Sequence, residues 1–232
     1  VGTLASVKGV PKEELENLEF NMILANTYHL MLRPGIKTIS KIGGLNKFMS
    51  WEKSILTDSG GFQVMSLGKN VKVDSNGVTF RSHIDGKLER LDAKKAIDIQ
   101  YYLGSTITMI FDECVPHPYS YINTKDSLAR SIAWSKKSIA AYKEREGYSV
   151  FGIVQGGMYK DLRELSVREN IENNFDGYAI GGLAVGEKQD LMIDITSYTT
   201  NLLPENKPRY LMGVGYPEDI IKAVKKGVDM FD

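Results

Sequence analysis

The chain has 232 residues, 42% hydrophobic and 25% charged, the profile of a globular protein with a sizeable core. Lysine plus arginine equals aspartate plus glutamate at 29 each, so no net basic field draws the whole chain toward nucleic acid, although a local patch stays open. No apolar run approaches the roughly 18 residues of a membrane span, and one cysteine, Cys114, leaves no internal disulfide and no cysteine-rich zinc site within these residues, which fits a reducing cytosol.

In chain order, Val1-Gly2-Thr3 reads as the end of a strand, a remnant of an eighth beside seven others. Short apolar runs at 21–25, 55–57, 106–111, 150–154, 178–180, 210–212 and 228–231 lack clear alternation and read as strands buried on both faces. Between them lie helical stretches. Pro11, Pro34 and Pro217 each stand where a first helical turn begins, where a missing N–H costs nothing. Thr124 is a candidate cap for a helix with Leu128, Ile132, Ile139 and Tyr142 on one face and Gly147 at its end. Leu191, Ile195, Tyr198 and Leu202 repeat the helical spacing. One insertion, near 71–90, alternates and carries Asp85-Gly86, a hairpin signal. The chain stops at Asp232, directly after an apolar stretch, and both ends read as cut.

Strand–helix alternation means α/β with parallel strands. Seven or eight such units in this length favour a (β/α)8 TIM-type barrel, a single domain over 1–232 incomplete at both termini; an open doubly wound sheet is the alternative. A barrel places its chemistry just after its strands. Those positions hold Asn26-Thr27-Tyr28-His29, Asp58-Ser59-Gly60-Gly61-Phe62-Gln63, Asp112-Glu113-Cys114, Gln155-Gly156-Gly157, Gly181-Gly182-Leu183, Gly213-Val214-Gly215-Tyr216 and Asp232. Glycine at turns and aspartate at helix caps also have a plain structural reading. Three aspartates directly after apolar strands would nonetheless converge on the barrel mouth. His29, His83 and His117 lie in separate units and read as structural. Asp-Ser-Gly-Gly matches neither a P-loop nor a dinucleotide fingerprint. Paired carboxylates suit chemistry at a sugar anomeric carbon, one as nucleophile and another moving a proton. Gln155, Asp112 and main-chain groups at Gly181-Gly182 are suited to a heterocyclic base edge, with Phe62 stacking on the ring. The residues alone point to glycosyl chemistry on a nucleoside-like substrate, with hydrolysis to water as one version of it.

The same loops resemble those of bacterial-type tRNA-guanine transglycosylase, the queuine tRNA-ribosyltransferase family. The similarity runs through Asn26 to Leu30 with Arg33-Pro34-Gly35, Thr57 to Gln63, Phe111 to Cys114, Val154 to Gly157, Gly181 to Glu187, Tyr210 to Gly215 and Asp229 to Asp232, in order along the whole chain. The resemblance implies a barrel enzyme, a pentosyltransferase of the cytoplasm. It would exchange the wobble-position guanine of tRNA anticodons for the queuosine precursor 7-aminomethyl-7-deazaguanine. Asp232 would be the nucleophile that holds the ribose covalently, and Asp58 the general acid/base. Asp112, Gln155, Gly182 and Leu183 would read the base edge. Ser59, Gly60 and Gly61 would line its pocket, and Phe62 and Met212 would sandwich the ring. The family more often has tyrosine at Phe62, a change that leaves stacking intact. Gly213, Val214, Gly215, Tyr216, Pro217, Glu218 and Asp219 match a segment associated with tRNA contact. Cys114 with Val185 favours the bacterial substrate over queuine, and Glu187 matches a residue that supports the pocket backbone. The partners implied are the tRNA anticodon loop, a deazaguanine-type base and, for the full-length chain, a second copy in a homodimer, with no membrane. The resemblance implies no cofactor within this chain; the family's one structural zinc, in a subdomain near its C-terminal end, and the basic segment after the nucleophile are expected beyond Asp232. Members of the wider family without catalysis leave a non-catalytic RNA-binding or dimerisation partner as the other reading.

Overall fold

The computed structural model describes residues 1–68 and 71–232, and the chain divides into two compact units. The first unit is Val1–Phe111 with Lys137–Val150. Its elements run α1 (Lys12–Asn17), β1 (Met22–Ala25), α2 (Thr27–Leu32), α3 (Ile36–Ile42), α4 (Leu45–Met49), β2 (Ser54–Thr57), α5 (Gly61–Met65), β3 (Val71–Asp74), β4 (Gly77–Arg81), β5 (Leu88–Leu91), α6 (Ala93–Leu103) and β6 (Ile107–Met109). Strands β1, β2 and β6 lie side by side and parallel, with Ala25 opposite Thr57 and Thr57 opposite Thr108. Ile23, Ile55, Leu56 and Met109 of these strands are buried with Leu30, Ile39, Ile97 and Leu103 of the helices. Gln100 of α6 is fully buried among them. Its amide exchanges hydrogen bonds of 2.9 Å with both Met109 N and O and accepts one of 2.9 Å from Thr57 Oγ1. A buried polar side chain that meets all its partners in this way fixes strand against helix.

The insertion is an antiparallel sheet of three strands, β3-β4-β5, rather than one hairpin. Asp85-Gly86 turns as expected, Gly86 taking φ 71°, and a second turn at Ser75-Asn76 adds the third strand. Phe80 of this sheet meets Tyr28 of α2 with ring centroids 5.5 Å apart.

The second unit is Asp112–Lys136 with Phe151–Asp232. The helix α7 (Tyr121–Ala141) begins here. Then follow β7 (Ser149–Val154), α8 (Lys160–Glu172), β8 (Gly177–Ile180), α9 (Gln189–Thr200), β9 (Arg209–Leu211), α10 (Pro217–Val224) and β10 (Met230–Phe231). Strands β7 to β10 are parallel neighbours in chain order. In both units the strands succeed one another without the reversal of a doubly wound sheet. The chain is therefore an α/β protein of the (β/α)8-barrel class, with seven parallel strands among the described residues and an antiparallel insert.

Several local expectations are corrected. Val1-Gly2-Thr3 is no strand; only the Gly2 N–H bonds to Leu24 O of β1. Helix α7 starts before Thr124: the Ser120 hydroxyl accepts from Asn123 N at 3.2 Å, and Thr124 Oγ1 donates back to Ser120 O at 2.9 Å. The helix stops at Ala141, well before Gly147. Its buried face is Thr124, Ser127, Leu128, Ser131, Trp134, Ser135 and Ser138 rather than Ile132, Ile139 and Tyr142. The serines are buried because the chain end they face needs donors and acceptors: Ser127 donates to Glu113 O, Ser131 accepts from Glu113 N and Ser138 from Phe111 N. In α9 the buried stripe is Met192, Ile195, Thr196, Thr199 and Thr200, leaving Leu191 exposed, and Leu202 lies exposed just past the helix end. The threonine hydroxyls satisfy themselves on Met192 O and Ile195 O, which removes the cost of burying them.

Two strand glycines are required by close approach. A Cβ at Gly177 would stand 2.3 Å from the Phe151 ring, and one at Gly152 would stand 2.5 Å from the Phe175 ring. Gly177→Ala is expected to destabilise the fold by about 1–3 kcal/mol through overpacking, read as a lower urea midpoint at unchanged slope; an unchanged midpoint counts against this packing.

Candidate active site

In the first unit the site grows from the end of β2. Asp58 follows Thr57 directly, and the parallel register of Ala25 with Thr57 sets Asn26 and Thr27 beside it. The Asp58 carboxylate is buried and accepts from four groups. Oδ1 takes Thr27 N at 2.9 Å and Gly60 N at 3.0 Å. Oδ2 takes Gln63 Nε2 at 2.9 Å and the Asn26 amide. Thr27 also donates its hydroxyl to Asp58 O at 2.5 Å. These donors favour the charged form, yet burial outweighs them and pushes the Asp58 carboxyl up to about 6. Gly60 closes the turn at φ 81°, where a Cβ would lie 3.3 Å from Tyr28 N. Ser59 is buried and accepts from Gly61 N at 3.1 Å, and Phe62 is 55% exposed, an aromatic face free to stack.

Tyr28 and His29 continue this loop. Tyr28 Oη lies 2.7 Å from His83 Nδ1, and the His29 and His83 rings sit 5.8 Å apart. Burial, then the neighbouring His83, holds His29 below the usual histidine range. Two histidines far apart in sequence thus meet, bracing the Asn26-Thr27 donors against the inserted sheet.

In the second unit Asp112 and Gln155 come together. Both are buried, and Gln155 Nε2 donates to Asp112 Oδ2 at 2.7 Å. Main-chain Gln155 N bonds Ser166 Oγ at 3.0 Å, and Gly181 N bonds Val154 O at 3.0 Å. Gly182 must stay bare: at φ 69°, its Cβ would stand 2.4 Å from Gln155 Oε1. Leu183 beside it is buried. Burial, then the Asp112 carboxylate, pushes the Cys114 thiol up to about 12, so at neutral pH it is a protonated, unreactive side chain. Glu187 receives Ala184 N at 2.5 Å and Val185 N at 2.9 Å, which holds Ala184 at φ 55°.

Asp232 forms a second cluster in this unit. Strand β10 runs parallel to β9, with Phe231 opposite Leu211, so Asp232 falls beside Met212. Asp232 Oδ1 accepts from Tyr210 Oη at 2.7 Å and Gly213 N at 2.6 Å. A carboxyl group with one oxygen fixed by two donors presents its other oxygen in a defined direction. Gly215 lies against the Asp232 main chain, where a Cβ would stand 3.2 Å from its O. Val214 is buried and Met212 half-buried. Tyr216 is 75% exposed at the start of α10, with Pro217 and Glu218 exposed in its first turn. Asp219 accepts from Gln189 Nε2 at 2.5 Å and so ties α10 to α9.

Asn26, Thr27, Gln63 and Tyr210 set the two carboxylates, and none was singled out as a site residue from the sequence. They are visible only as members of strand-end motifs, because the partners of Asn26, Thr27 and Tyr210 depend on strand register and that of Gln63 on the turn between Asp58 and α5. Among the described residues no three His, Cys, Asp or Glu side chains converge on a metal position, and no helix is long and apolar enough to cross a membrane.

A parallel β/α chain with oriented carboxylates at its strand ends has the architecture of the barrel class, in which chemistry sits at the C-terminal ends of the strands. The family model described as Queuine tRNA-ribosyltransferase matches residues 1–232, and the chain belongs to this family. It is 53% identical over all 232 residues to the queuine tRNA-ribosyltransferases of Rickettsia typhi, Rickettsia akari and Rickettsia prowazekii. The chain spans 64% of the length of these curated relatives.

The Asp58 environment makes a titration prediction. Carbon-13 shifts of its carboxyl should turn over near pH 6, and Asn26→Ala, which removes a donor to the charged form, should move that midpoint upward. The folded state binds this proton more tightly than the unfolded chain, whose value is near 3.8. Stability from this group is therefore full below that pH and falls by about 3 kcal/mol as pH rises through 6. A midpoint in the ordinary aspartate range would contradict the burial argument.

Proposed function

We propose that this chain forms the catalytic part of a tRNA-guanine transglycosylase. It exchanges the wobble guanine of tRNA anticodons for 7-aminomethyl-7-deazaguanine in queuosine modification. The observation that carries the reading is Asp58: a buried carboxyl at a β-strand end, with a proton affinity near neutral, in a chain matched to this family from end to end.

The chemistry then assigns each group a task. An Asp232 carboxylate oxygen attacks C1′ of the ribose and the C1′–N9 bond breaks, its electron pair leaving with guanine. Asp58 gives its proton to the departing base. The incoming base loses its N9 proton to the Asp58 carboxylate, and its nitrogen displaces Asp232 from C1′. Two displacements retain the anomeric configuration, and the covalent ester keeps the RNA in place between them. A carboxyl near 6 suits a group that must donate and then accept a proton close to neutral pH.

Asp112, Gln155, Gly182 and the Leu183 main chain read the base edge in this proposal. Ser59, Gly60 and Gly61 line the pocket, and Phe62 and Met212 take the two faces of the ring. Extruding the base from the anticodon costs a few kcal/mol, which stacking and edge bonds must offset. The 213–219 segment, exposed at Gly213 and from Gly215 to Glu218, contacts the tRNA, and the full-length chain acts as a cytoplasmic homodimer. The residues here do not fit the family's zinc. Cys114 is the only cysteine and is buried beside Asp112, and no step runs through a metal.

The test uses the full-length protein and radiolabelled guanine incorporation into tRNA. Asp232→Asn and Asp58→Asn are each expected to lower the rate by roughly a thousandfold or more. Asp232→Asn should also abolish the protein–RNA adduct on a denaturing gel. Full activity in both variants overturns these roles. Phe62→Ala should raise the KM for the base by about tenfold or more, as loss of one stacking face does, whereas Phe62→Tyr should leave it near the parent value.

A further inference from the structure

Helix α8 carries a polar stripe toward the end of β7. Asn170 Nδ2 donates to Ile153 O at 3.2 Å, Ser166 Oγ accepts from Gln155 N at 3.0 Å, and Arg163 reaches furthest along. Arg163 Nη1 donates to Val154 O at 3.0 Å and its Nε to Gly157 O at 2.9 Å. These two carbonyls bracket Gln155-Gly156, where Gly156 and Gly157 take φ 130° and 55°. A glycine pair this permissive does not hold its own shape. The rigid guanidinium fork does it from outside.

Stability does not explain an arginine here. The side chain is fully buried, and among the described residues its Nη2 has no hydrogen-bond partner. Burial lowers its proton affinity to about 10, leaving it charged at neutral pH. It also stands in the first turn of α8, where the helix dipole disfavours a cation. A buried guanidinium whose donors are only partly met is costly to keep. What it supplies is geometry: Gln155 is held where its amide meets Asp112, while Nη2 stands 3.6 Å from any Cβ that Gly182 would carry.

We propose that Arg163 is the positioning residue for base recognition, clamping the carbonyls on either side of Gln155 so that the Gln155–Asp112 pair faces the base in one orientation. This rests on the transglycosylase reading for the identity of the base.

The experiment compares full-length parent, Arg163→Lys and Arg163→Met in steady-state guanine exchange, with separate KM values for guanine and tRNA, and follows amide hydrogen exchange over 155–159. Lysine keeps the charge but, as a point donor, cannot grip both carbonyls. Arg163→Lys is expected to raise the guanine KM about tenfold with the tRNA KM within about twofold, and to speed amide exchange at Gln155 at least tenfold. Arg163→Met should do more on both counts; if it fails to fold, Arg163→Lys decides. An unchanged guanine KM and unchanged amide exchange in Arg163→Lys overturn the proposal, as does an equal rise in both KM values. A parent protein without guanine exchange overturns the transglycosylase reading instead, while the amide exchange still decides whether Arg163 clamps the loop.

Discussion

Parallel pairing places the C-terminal ends of neighbouring strands side by side, and in each unit the candidate groups follow from that alignment. Ala25 opposite Thr57 brings Asn26 and Thr27 to Asp58. Val154 opposite Ile180 brings Gln155 to Gly181 and Gly182, and Phe231 opposite Leu211 brings Asp232 to Met212 and Gly213. A slip of one residue in any of these pairings would turn the functional side chain to the other face of the sheet. The register is held by apolar side chains buried on the strands and by Gln100, which bonds the edges of β2 and β6 from the helix that covers them.

Helices α7 and α8 extend the same control past the strand ends. Their inward faces carry serine, asparagine and arginine where an ordinary core helix carries leucine or valine. Most of these polar groups meet main-chain atoms at a strand end or just past it: Phe111 and Glu113 from α7, and residues 153 to 157 from α8. Irregular backbone cannot satisfy itself when it leaves a sheet under cover, so its donors and acceptors need partners from elsewhere. The loops are thereby held by the helices beside them as well as by the strands they follow.

Burial then sets the chemistry. Asp58 keeps four donors and still binds its proton near pH 6, because removal from water acts on the charge more strongly than the donors do. Asp232 is only half-buried, with two donors on one oxygen. Two aspartates of identical chemistry are thereby given different environments, one enclosed and the other half-open.

The order of strands, the glycine-rich strand ends, the insertion and the aspartates at 58, 112 and 232 were legible in the sequence, because buried parallel strands read as unbroken apolar runs and turns carry their own residue types. The family motifs were legible for the same reason: they are local. Helix faces were not. Periodicity pointed to Ile132 and Leu191, while the buried stripes proved rich in serine and threonine, since a hydroxyl that finds a main-chain partner is as buriable as a methyl group. Nor could the sequence show that Asn26, Thr27 and Gln63 hold Asp58, that Tyr210 holds Asp232, or that Arg163 grips the carbonyls around Gln155. Local patterning sufficed to say which residues stand at the strand ends. What each of them touches, and how strongly Asp58 holds its proton, came from the fold, because register, burial and most hydrogen-bond partners come from residues distant along the chain.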